Sequence, residues 1–240
     1  RASRGSLRRP LRHSSPTSAV PPEVAPDDSE LVDSARAELI ARYDVPRETT
    51  GRLDLYAAML AEWQQRLNLV GPATLSQLWH RHFLDSAQLL DHVAGQGLSW
   101  IDIGSGAGFP GLIVAMLRPD IRVTLVESRE KKCVFLRAVA EACQIEQGVT
   151  VLSVRTEMLP IARFDVISAR ALASLTQLFD WGLRFAESDT QWVLPKGASV
   201  NNELAAAGKK FRFSHALRPS ITDDAARIVL AHGVKRRKRT

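Results

Sequence analysis

The chain of 240 residues contains only two cysteines, Cys133 and Cys143. Both fall in one stretch that reads as a helix. At about 100° per residue they point roughly 80° apart and lie almost three turns from each other. They can neither pair nor build a zinc cluster, which is the pattern of reduced thiols in a cytosolic protein. Apolar runs are also short. None approaches the roughly 20 residues that a membrane-spanning helix needs, so no membrane partner is expected. Internal repeats are absent as well. His80 and His82 form a His-x-His, but residues two apart on a helix face different sides. That pair is not a chelate, and no metal site is expected.

What remains is an ordinary globular composition, 45% hydrophobic and 24% charged. It suits one α/β domain with a smaller appendage. The net charge of +6 and the pI of about 9.7 suit an anionic partner such as nucleic acid. Much of the excess sits at the two ends. Residues 1–28 are rich in arginine, serine and proline and poor in apolar side chains, so they read as a disordered basic tail. The same composition describes an organellar transit peptide, although an amphipathic stripe is missing. An RNA-touching arm fits equally. At the other end, 234–240 reads as a second basic tail, whose Lys/Arg block would bind phosphates or simply remain solvated.

Residues 29–95 carry helical patterning. Leu31, Ala35, Leu39 and Ile40 recur at helical spacing. Leu53, Tyr56, Leu60, Trp63 and Leu67 form the stripe of a longer helix. Thr74 can cap a third helix bearing Leu75, Leu78, Phe83, Ala87 and Leu90. From 96 to 233 strand and helix alternate. Strands are expected at 99–103, 121–126, 149–154, 164–169 and 191–195, with helices between them. This predicts a parallel sheet with right-handed crossovers. Two more strand-like runs, 211–217 and 227–231, follow with no helix between them. They predict a terminal antiparallel hairpin.

The first strand runs into Gly104-Ser105-Gly106-Ala107-Gly108-Phe109-Pro110-Gly111, four glycines in eight residues. Strand, glycine turn and helix bring backbone N–H groups close to a nucleotide-like ligand. A dinucleotide site needs its third glycine three places after the second. Here that place holds Phe109, which excludes a nicotinamide-dependent oxidoreductase. Glycines at alternate positions 104, 106 and 108 resemble the first motif of S-adenosylmethionine (SAM) methyltransferases. Asp102, just inside the strand, can orient the loop or meet the ligand's ammonium.

Glu127 ends the second strand, where an acid accepts hydrogen bonds from ribose hydroxyls. Thr156 and Glu157 follow the third strand, where an adenine edge would sit. The fourth strand leads into Ala169-Arg170-Ala171. The Asn/Asp-Pro-Pro-aromatic motif that serves exocyclic amines is absent there. Guanine N7 carries an in-plane lone pair and no proton to lose, so its methylation needs alignment more than a base. Arg170 could hold guanine O6, a phosphate or the cofactor. Lys196 ends the fifth strand, either as a phosphate contact or as a surface lysine. His82 and Asp85, three apart, can hydrogen-bond to each other, as a contact to substrate or phosphate or as a structural pair. Asn68 reads as a cap or as a polar contact to the core.

Several of these segments together resemble one family. They are Asn68-Leu69-Val70-Gly71, Arg81-His82-Phe83-Leu84-Asp85-Ser86, Asp102 to Gly111, Glu127 to Lys132, Ala169-Arg170-Ala171 and Leu194-Pro195-Lys196-Gly197. In this order and spacing they are similar to the RsmG family, also called GidB or glucose-inhibited division protein B. The resemblance spans about residues 30–232. It implies a Rossmann-like seven-stranded SAM-dependent methyltransferase sheet behind a small helical subdomain. It implies a bacterial cytoplasmic enzyme, expected as a monomer, that methylates N7 of one guanine in 16S ribosomal RNA, free or in the 30S subunit. Gly104, Gly106, Phe109, Glu127, Thr156, Glu157 and Arg170 would hold SAM. His82 and Lys196 are the candidate RNA contacts, with Arg170 and Lys196 the candidates beside the reacting atoms. The chain departs from the family at Ala173-Ser174, where Ala-Pro is usual.

Overall fold

The computed structural model describes residues 28–238. The expected disorder of the N-terminal tail lies outside the described residues, except that Asp28 already opens a helix. Helices α1 (Asp28–Arg42) and α2 (Arg47–Gln64) come first. The sheet strands are β1 (Ser99–Ile103), β2 (Arg122–Glu127), β3 (Val149–Ser153), β4 (Val166–Ser168) and β5 (Gln191–Lys196), all parallel. β6 (Phe211–Pro219) and β7 (Arg227–Arg236) complete a seven-stranded sheet in the order β3-β2-β1-β4-β5-β7-β6. β7 runs antiparallel to both of its neighbours, so the expected terminal hairpin is present.

The parallel strands are apolar runs because both of their faces are covered. Along β1, Trp100 packs on one side and Ile101 and Ile103 on the other, all fully buried. The Trp100 side is covered by α4 (Gly111–Leu117) and α5 (Glu130–Ala142). Leu53, Tyr56 and Leu60 of α2 join this same core against Leu112 and Phe135. The helical region therefore shares a core with the sheet. The opposite face is covered by α6 (Leu175–Gly182) and α7 (Val200–Lys210), with Phe179 edge-on to Trp192.

Two expectations change. The third helix is not continuous. A 3₁₀ turn at Pro72–Thr74 is followed by a π-helical segment at Trp79–Leu84, a single α turn, α3 (Asp85–Ala87), and a 3₁₀ segment at Gln88–His92. Thr74 is no cap, because its hydroxyl is committed elsewhere, as described below. The π segment turns His82, Phe83 and Leu84 inward together. The C-terminal tail also begins later than expected. Val234 is buried, and β7 stays paired with β6 as far as Arg236, so residues 234–236 are strand.

Candidate functional site

The carboxyl ends of β1, β2, β4 and β5 open on one crevice, where ligands of open α/β sheets bind. Gly104 leaves β1 at φ +71°, and Gly108 turns at φ +103°. These are left-handed values at which a side chain is strained. A Cβ on Gly104 would also run into Leu172, and one on Gly108 would lie 2.8 Å from the Tyr56 hydroxyl. The loop is tied down before any ligand arrives. The amides of Gly104 and Ser105 both donate to the Val126 carbonyl, at 2.8 and 3.0 Å. The buried Tyr56 hydroxyl donates to the Ala107 carbonyl. Burial holds that phenol well above its ordinary pKa, so it stays protonated and keeps donating.

Glu127 is buried at the end of β2. One carboxylate oxygen accepts from Gly106 N at 3.1 Å and the other from Arg129 N at 2.8 Å. Each oxygen keeps a lone pair for a further donor. Glu127 lines two adjoining cavities. One, of about 330 Å³, also touches Gly104, Thr156, Glu157, Leu172 and Trp181. The other, of about 620 Å³, touches Asn68, Gly106, Phe109, Arg170 and Leu172. Thr156 is buried and Glu157 exposed on the short turn after β3. All seven residues expected to hold SAM therefore line these two connected spaces.

Asp102 is fully buried and faces away from the crevice into the packed core. It accepts from the Ser168 hydroxyl at 2.8 Å and from Gly111 N at 3.3 Å. Ser168 in turn accepts from the Trp100 indole. Burial raises the Asp102 pKa to about 6 against these hydrogen bonds. It orients the loop, the first of its two sequence readings.

Arg170 stands between the second cavity and a third of about 700 Å³, which Lys196, Asp85 and Asp223 also line. Its guanidinium lies 5.1 Å from the centroid of the Phe109 ring. It donates to the Arg81 carbonyl and to Asp85 Oδ2, both at 3.0 Å, and meets His82 Nδ1 at 2.6 Å. Arginine can only donate. His82 Nδ1 therefore accepts, and the ring proton resides on Nε2. Nε2 lies 2.8 Å from the Thr74 hydroxyl, which donates onward to the Gly71 carbonyl at 2.8 Å. This fixes one direction for the whole chain, from Arg170 through His82 and Thr74 to Gly71. Burial, with the Arg170 charge beside it, lowers the His82 pKa to about 3, so the ring stays neutral. The expected His82–Asp85 bond is replaced. Both residues grip Arg170 instead, because the π turn aims both at the loop after β4.

Asp85 is held from its other side by Thr222 at 2.8 Å and Gln88 at 2.9 Å. Those bonds fasten the β6–β7 connection to the helical region. Lys196 lines the third cavity and is tied into the fold. Its ammonium contacts Glu203 at 2.9 Å and the Ala173 carbonyl at 2.6 Å, anchoring the loop that carries Arg170. Ser174, the departure from the family pattern, caps α6 by accepting from Gln177 N.

The sequence reading missed several contributors. Tyr56 and Thr74 looked like a core aromatic and a cap. Gln64 bonds Leu69 N, Val70 N and the Val70 carbonyl, shaping the turn beside Asn68. Leu172 lines all three cavities. Only the polar residue at a helix break, Gln64, carried a usable signal. The other contacts span fifty residues of sequence or more, or depend on the π turn.

A family model for GidB, described as rRNA small subunit methyltransferase G, matches residues 50–227. The chain is 45% identical over 204 residues to the ribosomal RNA small subunit methyltransferase G of Rhizorhabdus wittichii, covering 85% of this chain and 93% of that protein. For the Methylobacterium radiotolerans protein of the same name the figures are 44% over 201 residues, 83% and 95%. Among solved structures, a SAM-dependent methyltransferase from Aquifex aeolicus aligns with a TM-score of 0.52 at 17% identity. It covers 69% of this chain and 95% of that one, a likeness of fold.

Proposed function

The chain belongs to the GidB family of small-subunit ribosomal RNA methyltransferases, and on that premise we propose that it transfers the methyl group of SAM to N7 of one guanine, guanine 527, of 16S ribosomal RNA. SAM supplies an electrophilic methyl on a sulfonium sulfur. The Glu127 carboxylate would accept from the ribose hydroxyls with its free lone pairs, as a charge-assisted pair. Gly104, Gly106 and Phe109 would lie along the methionine portion, and Thr156 and Glu157 beside the adenine. The fit is supported by the adjoining cavities around Glu127 and by Gly104, whose backbone lines both of them.

One observation carries the choice of a ring nitrogen. The groups around Arg170 that could act as a base are already engaged. His82 Nδ1 and Asp85 accept from Arg170, and Glu203 is paired with Lys196. A nucleophile that must lose a proton would find them occupied, whereas guanine N7 needs only to be aligned. Arg170 would then orient the base or the cofactor between the two cavities. The expected cellular site is the cytoplasm, where the ribosomal RNA is made. No described helix is long and apolar enough to cross a membrane.

Labelled SAM, purified protein and either 16S RNA or 30S particles test this reading. Label should enter RNA and should stay in SAM when RNA is omitted. Transfer to a small acceptor without RNA would replace it with a small-molecule methyltransferase.

A further inference from the structure

The basic block near the C-terminus starts inside the folded sheet, with Lys235 and Arg236 in β7, and lies at the pole opposite the crevice. Arg227 pairs with Lys196 at the crevice end of the sheet, whereas Arg236 pairs with Phe211 at the far end. Nine strand steps separate Arg227 from Arg236, or about 30 Å. Two further basic segments meet there. Lys209 and Lys210 form the last turn of α7, and Arg212 stands directly across the ladder from Lys235. Arg237 closes the corner by bonding the carbonyls of Lys210, Gly208 and Phe211.

Two of these cations serve the fold. Arg236 pairs with Asp180, and Arg237 holds the end of α7. Lys209, Lys210, Arg212, Lys235 and Lys238 are exposed and make no ion pair among the described residues. A helix dipole accounts for cations at the end of α7. Protection of the β6 edge accounts for a single charge on that strand. Neither accounts for Arg212 opposite Lys235, since like charges across a ladder destabilise it. A sequence that keeps this repulsion has a use for the concentrated charge.

We propose that this corner is a second RNA-binding surface, which grips the phosphate backbone of the substrate RNA about 30 Å from the base being methylated. It rests on the reading that the substrate is ribosomal RNA. The substrate must then be an RNA extended enough to reach both poles, such as intact 16S RNA or a 30S particle. A short hairpin around the target guanine engages the crevice alone.

The test combines Lys209→Gln, Lys210→Gln, Arg212→Gln, Lys235→Gln and Lys238→Gln, leaving Arg236 and Arg237 in place. Filter binding at several salt concentrations compares intact 16S RNA with a hairpin whose helix is shorter than β7. On intact RNA the variant should bind at least about tenfold more weakly at 0.15 M salt. Its salt slope should become shallower by about 0.7–0.9 for each phosphate that is no longer neutralised. On the hairpin the change should stay under about twofold, because only a global effect of charge would reach it. Wild-type protein should itself show the steeper salt slope on the long RNA, a measurement that needs no variant to fold. Equal losses on both RNAs, or none on either, would overturn the proposal. Binding that follows this pattern without any methyl transfer would overturn the proposed function and leave the second surface standing.

Discussion

The two sides of the crevice are built differently. Around Arg170, nearly every polar atom has a partner fixed by the fold, and four residues, Arg81, His82, Asp85 and Phe109, converge on one guanidinium. Around Thr156 and Glu157 the wall is thin. The connection after β3 exposes Met158 and Ile161 at 74% and 69%, and Glu157 points to solvent. The comparison separates preorganisation from completion by ligand. Groups near the transferred methyl must be aligned in advance, since orientation supplies the rate. With SAM placed as proposed, the adenosine end would contribute binding alone and be completed when the cofactor arrives.

Breaking the rigid side should therefore cost most. Arg170→Ala leaves the carboxylate of Asp85 without its cation and His82 Nδ1 without a donor. A loss of about 3 kcal/mol in urea unfolding is expected, with methyl transfer abolished. Arg170→Lys should recover stability better than activity, because an ammonium cannot reproduce the planar fork. Equal stability of wild type and Arg170→Ala would mean that the cluster is incidental. Glu127→Ala comes next and touches both sides. It should weaken SAM binding by about 2 kcal/mol, roughly thirtyfold by isothermal titration, for the loss of two charge-assisted bonds.

His82→Asn sharpens the comparison through pH. The amide oxygen takes the place of Nδ1 as acceptor but cannot titrate. In the wild type the folded pKa of His82 is about 3 against an ordinary value of 6.5. Below pH 6.5 the unfolded chain binds a proton that the folded chain refuses. Stability therefore falls as pH falls, by about 1.4 kcal/mol per unit. Asp102, with a raised folded pKa, acts in the opposite sense between about 4 and 6 and is common to both proteins. The stability difference between wild type and His82→Asn, measured from pH 7 to 5, should thus shift toward the variant. A difference independent of pH would contradict the neutral, buried imidazole. The smallest effect belongs to the thin side. Glu157→Ala should change stability by less than about 0.5 kcal/mol and SAM affinity only a few-fold.

Much of this architecture was readable from periodicity and punctuation. The strands from β1 to β5 lie within two residues of their expected bounds, because each is an apolar run closed by turn chemistry. The loop at Gly104 was equally plain, since alternate glycines before a helix have few other uses. The third helix misled. Its apolar spacing fits an unbroken α-helix, and nothing local signals the π turn that sends His82 and Asp85 to Arg170. The ion pair of Lys196 was illegible for another reason. The end of β5 does point into the crevice, but its partner Glu203 comes from the next helix, and only packing brings the two together. Tyr56 lay hidden in a hydrophobic stripe, where an aromatic hydroxyl reads as core until its acceptor 51 residues away is seen.

The identity of the methylated atom decides the function. Purified protein should be incubated with SAM and with 16S RNA or 30S particles lacking the modification. Nuclease fragments are then mapped by mass spectrometry and by the strand scission specific to 7-methylguanine. One added methyl is expected, at N7 of a single guanine. A methyl on an exocyclic amine, on a ribose or on another base would contradict it.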